Sequence, residues 1–278
     1  MLARAKVNLW LEVVGRRADG YHLLDSLIAF TDLADEIEAV PSDRLTLAVD
    51  GPLSSVLAGE GDNNLVLKAA RLLADRAGVA PRVALTLTKR IPVAAGLGGG
   101  SADAAATLKA LIELWRVALP VEELFDIAAR LGADVPMCFA GHAALASGVG
   151  EQLAPAPPLP PCAILLVNPR VALPTPDVFR ARRGAFSEPR PLQPWTDLAS
   201  FAAALAERGN DLTDAAISLQ PAVADVLAFL RKGDGAIHAA MSGSGATCFA
   251  LYESVERAHR TAARLPTSWW HDAGKLVG

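Results

Sequence analysis

The chain has 278 residues, a formal net charge of −4 and 52% hydrophobic residues, which is enough for one large domain or two ordinary ones around a sizeable core and argues against intrinsic disorder. The mildly acidic balance gives no electrostatic case for a nucleic-acid partner or an anionic membrane surface. No apolar run reaches the roughly 18 residues of a spanning helix, and residues 1–6 run into a strand pattern without a leader's apolar stretch, so a cytoplasmic protein is expected.

In chain order, residues 5–14 alternate, with Val7, Leu9, Leu11 and Val13 opposed to Lys6, Asn8, Trp10 and Glu12. This predicts a strand with a polar face near its start. Residues 15–20 carry an Asp-Gly turn signal. Residues 35–39 and 44–49 are predicted as strands separated by Pro41, and Asn63-Asn64 as the cap of a helix over 65–77 that Gly78 stops. Residues 83–91 alternate again, with Val83, Leu85 and Leu87 on one face. Helices are predicted over 101–115 and over 121–131, the latter closed by Gly132, and a short strand over 143–146. The segment 154–161 is too proline-rich for a regular element and is the best boundary, separating domains at 1–153 and 162–278. Beyond it, strands are predicted over 163–167, 237–241 and 247–252, and helices over 195–208, 221–231 and 255–265. The alternation lacks a strict βαβ rhythm, so the fold class expected is α+β rather than a doubly wound sheet. Cys138, Cys162 and Cys248 lack C-x-x-C spacing and are expected as buried thiols in a reducing compartment.

The most informative stretch is Pro92-Val93-Ala94-Ala95-Gly96-Leu97-Gly98-Gly99-Gly100-Ser101-Ala102, followed by Asp103 and an alanine run. Four glycines in five residues oppose a stable helix or strand, so the stretch is predicted as strand, glycine loop, helix start. Bare backbone amides at a helix N-terminus suit a phosphate. The P-loop pattern is excluded because no Lys-Ser or Lys-Thr follows the glycines, and the dinucleotide fingerprint because its sixth position is Ser101 or Asp103. No H-R-D or D-F-G accompanies a protein-kinase loop. A flexible linker would not be flanked so tightly by a strand and an amphipathic helix. The remaining pattern, P-x-x-x-G-L-G-[GS]-[GS]-S-[AS], resembles the signature of the GHMP kinases, the small-molecule kinase superfamily that includes galactokinase, homoserine kinase and mevalonate kinase.

Other residues could carry chemistry. Lys6 is either a solvated edge lysine or a functional cation. Asp134 lies between Gly132 and Val135-Pro136. It reads as a helix-terminal turn aspartate, or as the start of an extended segment whose carboxylate has a task beside apolar neighbours. Tyr21-His22 either packs or presents an aromatic face and an imidazole, and 242–245 is either a strand-connecting turn or a second glycine motif. Phosphoryl transfer gives these types a reason to occur together: amides hold the triphosphate, a lysine supplies a point charge, an aspartate receives the alcohol's proton, and Ser101 can hold Mg²⁺ or a phosphate oxygen.

Within the superfamily the resemblance narrows. Ala5-Lys6-Val7-Asn8-Leu9, Arg17-Ala18-Asp19-Gly20-Tyr21-His22, the triple glycine before Ser101, Gly132-Ala133-Asp134-Val135-Pro136 and Leu173-Pro174-Thr175-Pro176 together resemble the branch whose acceptor is a CDP-linked methylerythritol of the non-mevalonate isoprenoid route. The resemblance implies a two-domain fold, an N-terminal domain like ribosomal protein S5 domain 2 and a ferredoxin-like C-terminal domain. It implies Lys6 and Asp134 as the catalytic pair, Pro92 to Ala102 around the ATP phosphates, and Asn64 near the adenine. It also implies Asn8, Tyr21, His22, Thr175 and Phe179 on the acceptor, with Tyr21 stacking on the base, His22 hydrogen-bonding it and Phe179 completing a sandwich. ATP with Mg²⁺ and a CDP-linked alcohol are therefore the expected ligands. Asp103 departs from the branch, which often carries asparagine there, and residues 180–197 match poorly.

Overall fold

The computed structural model describes residues 1–54, 61–93 and 95–278. The elements in chain order are β1 (Leu2–Arg16), β2 (His22–Pro41), β3 (Thr46–Asp50), α1 (Leu65–Ala77), β4 (Val83–Thr88), α2 (Gly99–Trp115), α3 (Val121–Leu131), α4 (Val135–Ala140), β5 (Ala144–Ser147) and β6 (Gln152–Pro155). They continue as β7 (Ala163–Asn168), α5 (Thr175–Ala181), α6 (Leu198–Arg208), α7 (Thr213–Leu219), α8 (Ala222–Arg231), β8 (His238–Met241), β9 (Cys248–Tyr252), α9 (Val255–Ala262) and β10 (Trp270–Val277). This is the expected α+β class.

The chain forms two compact units. The first comprises Met1–Lys6, Leu33–Val93 and Gly98–Gly141. In it β4 pairs in parallel with β3 and antiparallel with the C-terminal part of β2, Ile37 opposite Leu87 and Ala39 opposite Leu85. Val83, Leu85 and Leu87 are buried while the residues between them are half-buried, as the alternation requires. Helix α1 begins where Asn64 Oδ1 accepts from the Val66 amide and ends at Gly78, whose left-handed φ of 65° suits glycine. Helix α2 is buried almost all round from Ala102 to Leu108, so its small side chains admit close packing against α1 and α4.

The second unit comprises Val7–Asp32, Ala94–Leu97 and His142–Gly278. Its antiparallel sheet runs β10-β7-β9-β8. β7 is buried throughout, with β10 on one edge and β9 on the other. That explains its unbroken apolar run. Helices α8 and α9 pack on this sheet. The N-terminal part of β2 pairs with β5, and β5 with β6.

Several expectations are corrected. The polar side of β1 is not solvated: Lys6, Asn8, Trp10 and Glu12 are all buried. Glu12 is stabilised by Arg208 at 2.6 Å and Arg190 at 2.8 Å, and burial still pushes its carboxyl above the ordinary range despite those cations. β2 starts at His22, because residues 26–31 are buried on both faces and so show no alternation. Helix α2 starts at Gly99, not at Ser101. A Cβ on Gly99 would sit 3.1 Å from Ile91 Cγ2 and 3.2 Å from Lys89 Nζ, so close approach explains the glycine. Asp134 does not begin an extended segment. It is the N-cap of α4 with helical φ and ψ of −86° and −10°, because Pro136 falls in the first helical turn, where its missing N–H costs nothing.

Candidate active site

In the first unit, β1 delivers Lys6 and the turn after α3 delivers Asp134. Lys6 Nζ lies 3.5 Å from Asp134 Oδ2. The side chains differ in setting: that of Lys6 is 9% exposed and that of Asp134 is 43% exposed. The Asp134 side chain makes no capping bond to α4, so its carboxylate serves the lysine and whatever approaches from solvent. Gly98 fixes the stem of Lys6, since a Cβ there would meet Lys6 Cγ at 2.7 Å. Its φ of 64° is the left-handed conformation glycine adopts without strain. Gly98 at the start of α2 and the lysine are thus one assembly.

Gly98 is the N-cap of α2, and Ala102 N donates to Gly98 O at 2.8 Å. The first amides of a helix lack intrahelical acceptors and carry the positive end of its dipole. Here they belong to Gly99, Gly100 and Ser101, of which Gly100 is exposed and Ser101 half-buried. Pro92 is half-buried and Val93 exposed. Asn64 is buried as the α1 cap, and Ala94 lies outside the described residues.

Ala95, Gly96 and Leu97 are counted in the second unit, where Thr247 Oγ1 donates to Ala95 O at 2.5 Å. A Cβ on Gly96 would lie 2.7 Å from Gly245 O. The segment 242–245 is therefore more than a strand connection. Ser242 Oγ accepts from Asn8 N at 3.1 Å, Asn8 Nδ2 donates to Ser26 Oγ at 2.8 Å, and Asn210 donates to the carbonyls of Met241 and Gly243. Thr175 and Ser244 share a hydroxyl hydrogen bond of 2.8 Å.

Also in the second unit, the rings of His22 and Phe179 stack at 5.1 Å between centroids. Burial, aided by the Arg16 and Arg182 cations, holds the His22 imidazole below its usual pKa. It is thus neutral at pH 7, with one donor and one acceptor nitrogen. Tyr21 is 65% exposed, one residue before β2. Thr175 and Phe179 are four residues apart on α5, on one helix face.

A cluster of Lys89, Asp35 and Asp103 in the first unit was not anticipated as functional. Lys89 bonds Asp35, and lies 2.7 Å from Asp103 Oδ2. All three are buried. Burial favours a neutral Lys89, but the two carboxylates outweigh it and raise its pKa. Burial, with Asp35 adding and Lys89 opposing, pushes the Asp103 carboxyl up to about 8. The signal was present, since Lys89 continues the inward parity of Val83, Leu85 and Leu87. The three cysteines are buried and free. Burial and the nearby Asp134 carboxylate push the Cys138 thiol up to about 12, which leaves it unreactive beside the catalytic candidates.

Comparison with known proteins gives the family of the chain. The family models for the GHMP kinases N terminal domain and the GHMP kinases C terminal domain match residues 64–142 and 191–272. A Rhodospirillum rubrum 4-diphosphocytidyl-2-C-methyl-D-erythritol kinase is 51% identical, covering 99% of this chain and 92% of its own length. A Paramagnetospirillum magneticum protein of the same name is 53% identical over 99% and 97%. A crystal structure of 4-(cytidine 5′-diphospho)-2C-methyl-D-erythritol kinase is 40% identical, with a TM-score of 0.84 over 100% of this chain and 99% of the other. The chain belongs to the GHMP kinases, in the branch of the 4-diphosphocytidyl-2-C-methyl-D-erythritol kinases.

Proposed function

We propose that the chain transfers the γ-phosphoryl group of ATP to the 2-hydroxyl of 4-diphosphocytidyl-2-C-methyl-D-erythritol, giving the 2-phosphate and ADP, in non-mevalonate isoprenoid precursor biosynthesis. The observation that carries the reading is the 3.5 Å approach of Lys6 to Asp134, with the lysine stem laid against Gly98. The acceptor's 2-oxygen attacks the γ-phosphorus as the bond to the β,γ-bridging oxygen breaks. The hydroxyl proton passes to the Asp134 carboxylate, and ADP leaves. Lys6 orients Asp134 and offers its charge to the transferring group, while the segment from Pro92 to Ala102 embraces the phosphates, with the first-turn amides of α2 at Gly99, Gly100 and Ser101 as donors. Asn64 sits near the adenine. Asn8, Tyr21, His22, Thr175 and Phe179 recognise the cytidine end, with the neutral His22 supplying hydrogen bonds to the base.

Mg²⁺ fits as a companion of the nucleotide. Such an ion keeps several waters and takes phosphate oxygens with one or two protein oxygens, and the Ser101 hydroxyl in the first turn of α2 is a donor of that kind. Among the described residues no group of three or more His, Cys, Asp and Glu is disposed to hold a metal. When bound, it neutralises charge on the β- and γ-phosphates.

The ATP-binding domain is proposed over 1–153 and the domain contributing to the substrate site over 162–278. The two family matches fall on either side of the proline-rich boundary. Among the described residues no helix is long and apolar enough to cross a membrane, and a cytoplasmic place accords with a metabolic kinase. Acceptor identity is tested by ADP release with the CDP-linked alcohol, homoserine and mevalonate. Turnover of the first alone is expected. Turnover of a small aliphatic alcohol without the CDP-linked one would overturn the assignment, because the Tyr21–His22 pair has no task on such an acceptor.

A further inference from the structure

Lys89 follows directly on β4, three residues ahead of Pro92, and its backbone is clamped on both sides: Lys89 N donates to Asp50 O at 2.8 Å and Leu53 N donates to Lys89 O at 3.3 Å. Asp35, on β2, uses Oδ1 to accept from the amides of Arg90 at 2.5 Å and Ile91 at 2.8 Å, and Oδ2 to accept from Lys89 Nζ. One carboxylate therefore holds three consecutive residues of the stem leading into the glycine-rich segment. The same ammonium reaches Asp103 Oδ2 at 2.7 Å, on the second turn of α2, in the stem leading out. The Nζ also lies against the first turn of α2, 3.2 Å from where a Gly99 Cβ would be.

A buried ion cluster is a poor device for stability alone, since apolar residues of similar volume often do as well. This one joins the two chain segments that bound the phosphate-loop candidate. We propose that Lys89, bonded to Asp35 on one side and Asp103 on the other, is a positioning residue that fixes the separation of the two stems and so aligns the amides of the glycine-rich segment with a nucleotide's phosphates. The inference rests on the reading of that segment as the ATP phosphate site. Lys89 acts through the backbone it holds, so its loss weakens nucleotide binding and leaves cytidine recognition intact.

The test uses the full chain, a non-hydrolysable ATP analogue and cytidine diphosphate as separate probes, and amide hydrogen exchange of peptides covering 95–102. The variants are Asp103→Leu, the double variant Lys89→Met with Asp103→Leu, and Asp103→Asn. The double variant leaves no unpaired lysine, and Asp35 keeps its two backbone donors; Asp103→Leu keeps the Lys89–Asp35 pair and carries the test where the double variant does not fold. Both leucine variants are expected to lose about tenfold or more in analogue affinity, with cytidine diphosphate affinity within about twofold of wild type. Asp103→Asn keeps an acceptor for Lys89 and is expected within about threefold for the analogue. A folded double variant that binds the analogue, and protects 95–102, as wild type does would overturn the inference while leaving the phosphate reading intact. Absence of analogue protection over 95–102 in the wild type would remove both.

Discussion

Asp103 shows most clearly how a single side chain ties chemistry to pH. Lys89 and Asp35 face it, and the Cys138 thiol of α4 lies within its field. Its carboxyl rises from 3.8 in the free chain to about 8 in the fold, so the native state holds this proton more tightly. The associated stability is full below 3.8 and is lost as the pH climbs through about 8. Asparagine in its place stays neutral throughout. Urea unfolding at about pH 6 and about pH 9 is expected to show the wild type losing roughly 2–3 kcal/mol more than Asp103→Asn between the two conditions. Equal losses would contradict the assigned proton. At His22 the direction is reversed. Burial lowers the imidazole's pKa, so the contribution of its neutral form is present above the ordinary value and lost on acidification through the lower one.

At the scale of elements, two glycines separate backbone strain from catalytic geometry. Gly78 and Gly98 both have left-handed φ, at 65° and 64°. A Cβ on Gly78 meets nothing within 4 Å, whereas one on Gly98 meets Lys6 Cγ at 2.7 Å. Alanine at either position is expected to cost roughly 1–2 kcal/mol in stability. Only Gly98→Ala is expected to lower kcat, by about tenfold or more, because it displaces the lysine from Asp134. Equal kcat effects at the two positions would remove the link between loop and lysine. Helices α1 and α3 were legible because they carry local punctuation, Asn64 with Gly78 for one and Gly132 for the other. β4 was legible through its parity. The beginning of β2, with α5, α7 and β10, was not legible. β2 is buried on both faces there, and β10 takes its place by pairing Trp270–Lys275 with β7, a long-range partner that periodicity cannot reveal. The Asp134 turn was misread because Pro136 is compatible with a first helical turn as well as with an extended chain.

At the scale of the whole molecule, the proposed roles are divided between the two units. Lys6, Asp134 and the first turn of α2 fall in the first, and Asn8, His22, Thr175 and Phe179 in the second. The residues proposed to transfer phosphate were legible as a family pattern, spread in order over nearly the whole chain. The Lys89 brace was not: parity turns Lys89 inward, but nothing local pairs it with Asp35 on β2 and Asp103 on α2. A division of roles of this kind separates binding from chemistry in a variant. Asp134→Asn keeps the size of the side chain and removes its ability to take a proton. Rapid-quench measurement of γ-phosphoryl transfer from ATP to 4-diphosphocytidyl-2-C-methyl-D-erythritol in a single turnover tests the central claim directly. The expected result is a rate about 10²–10⁴ below wild type with nucleotide affinity retained, and a transfer rate equal to wild type would contradict it.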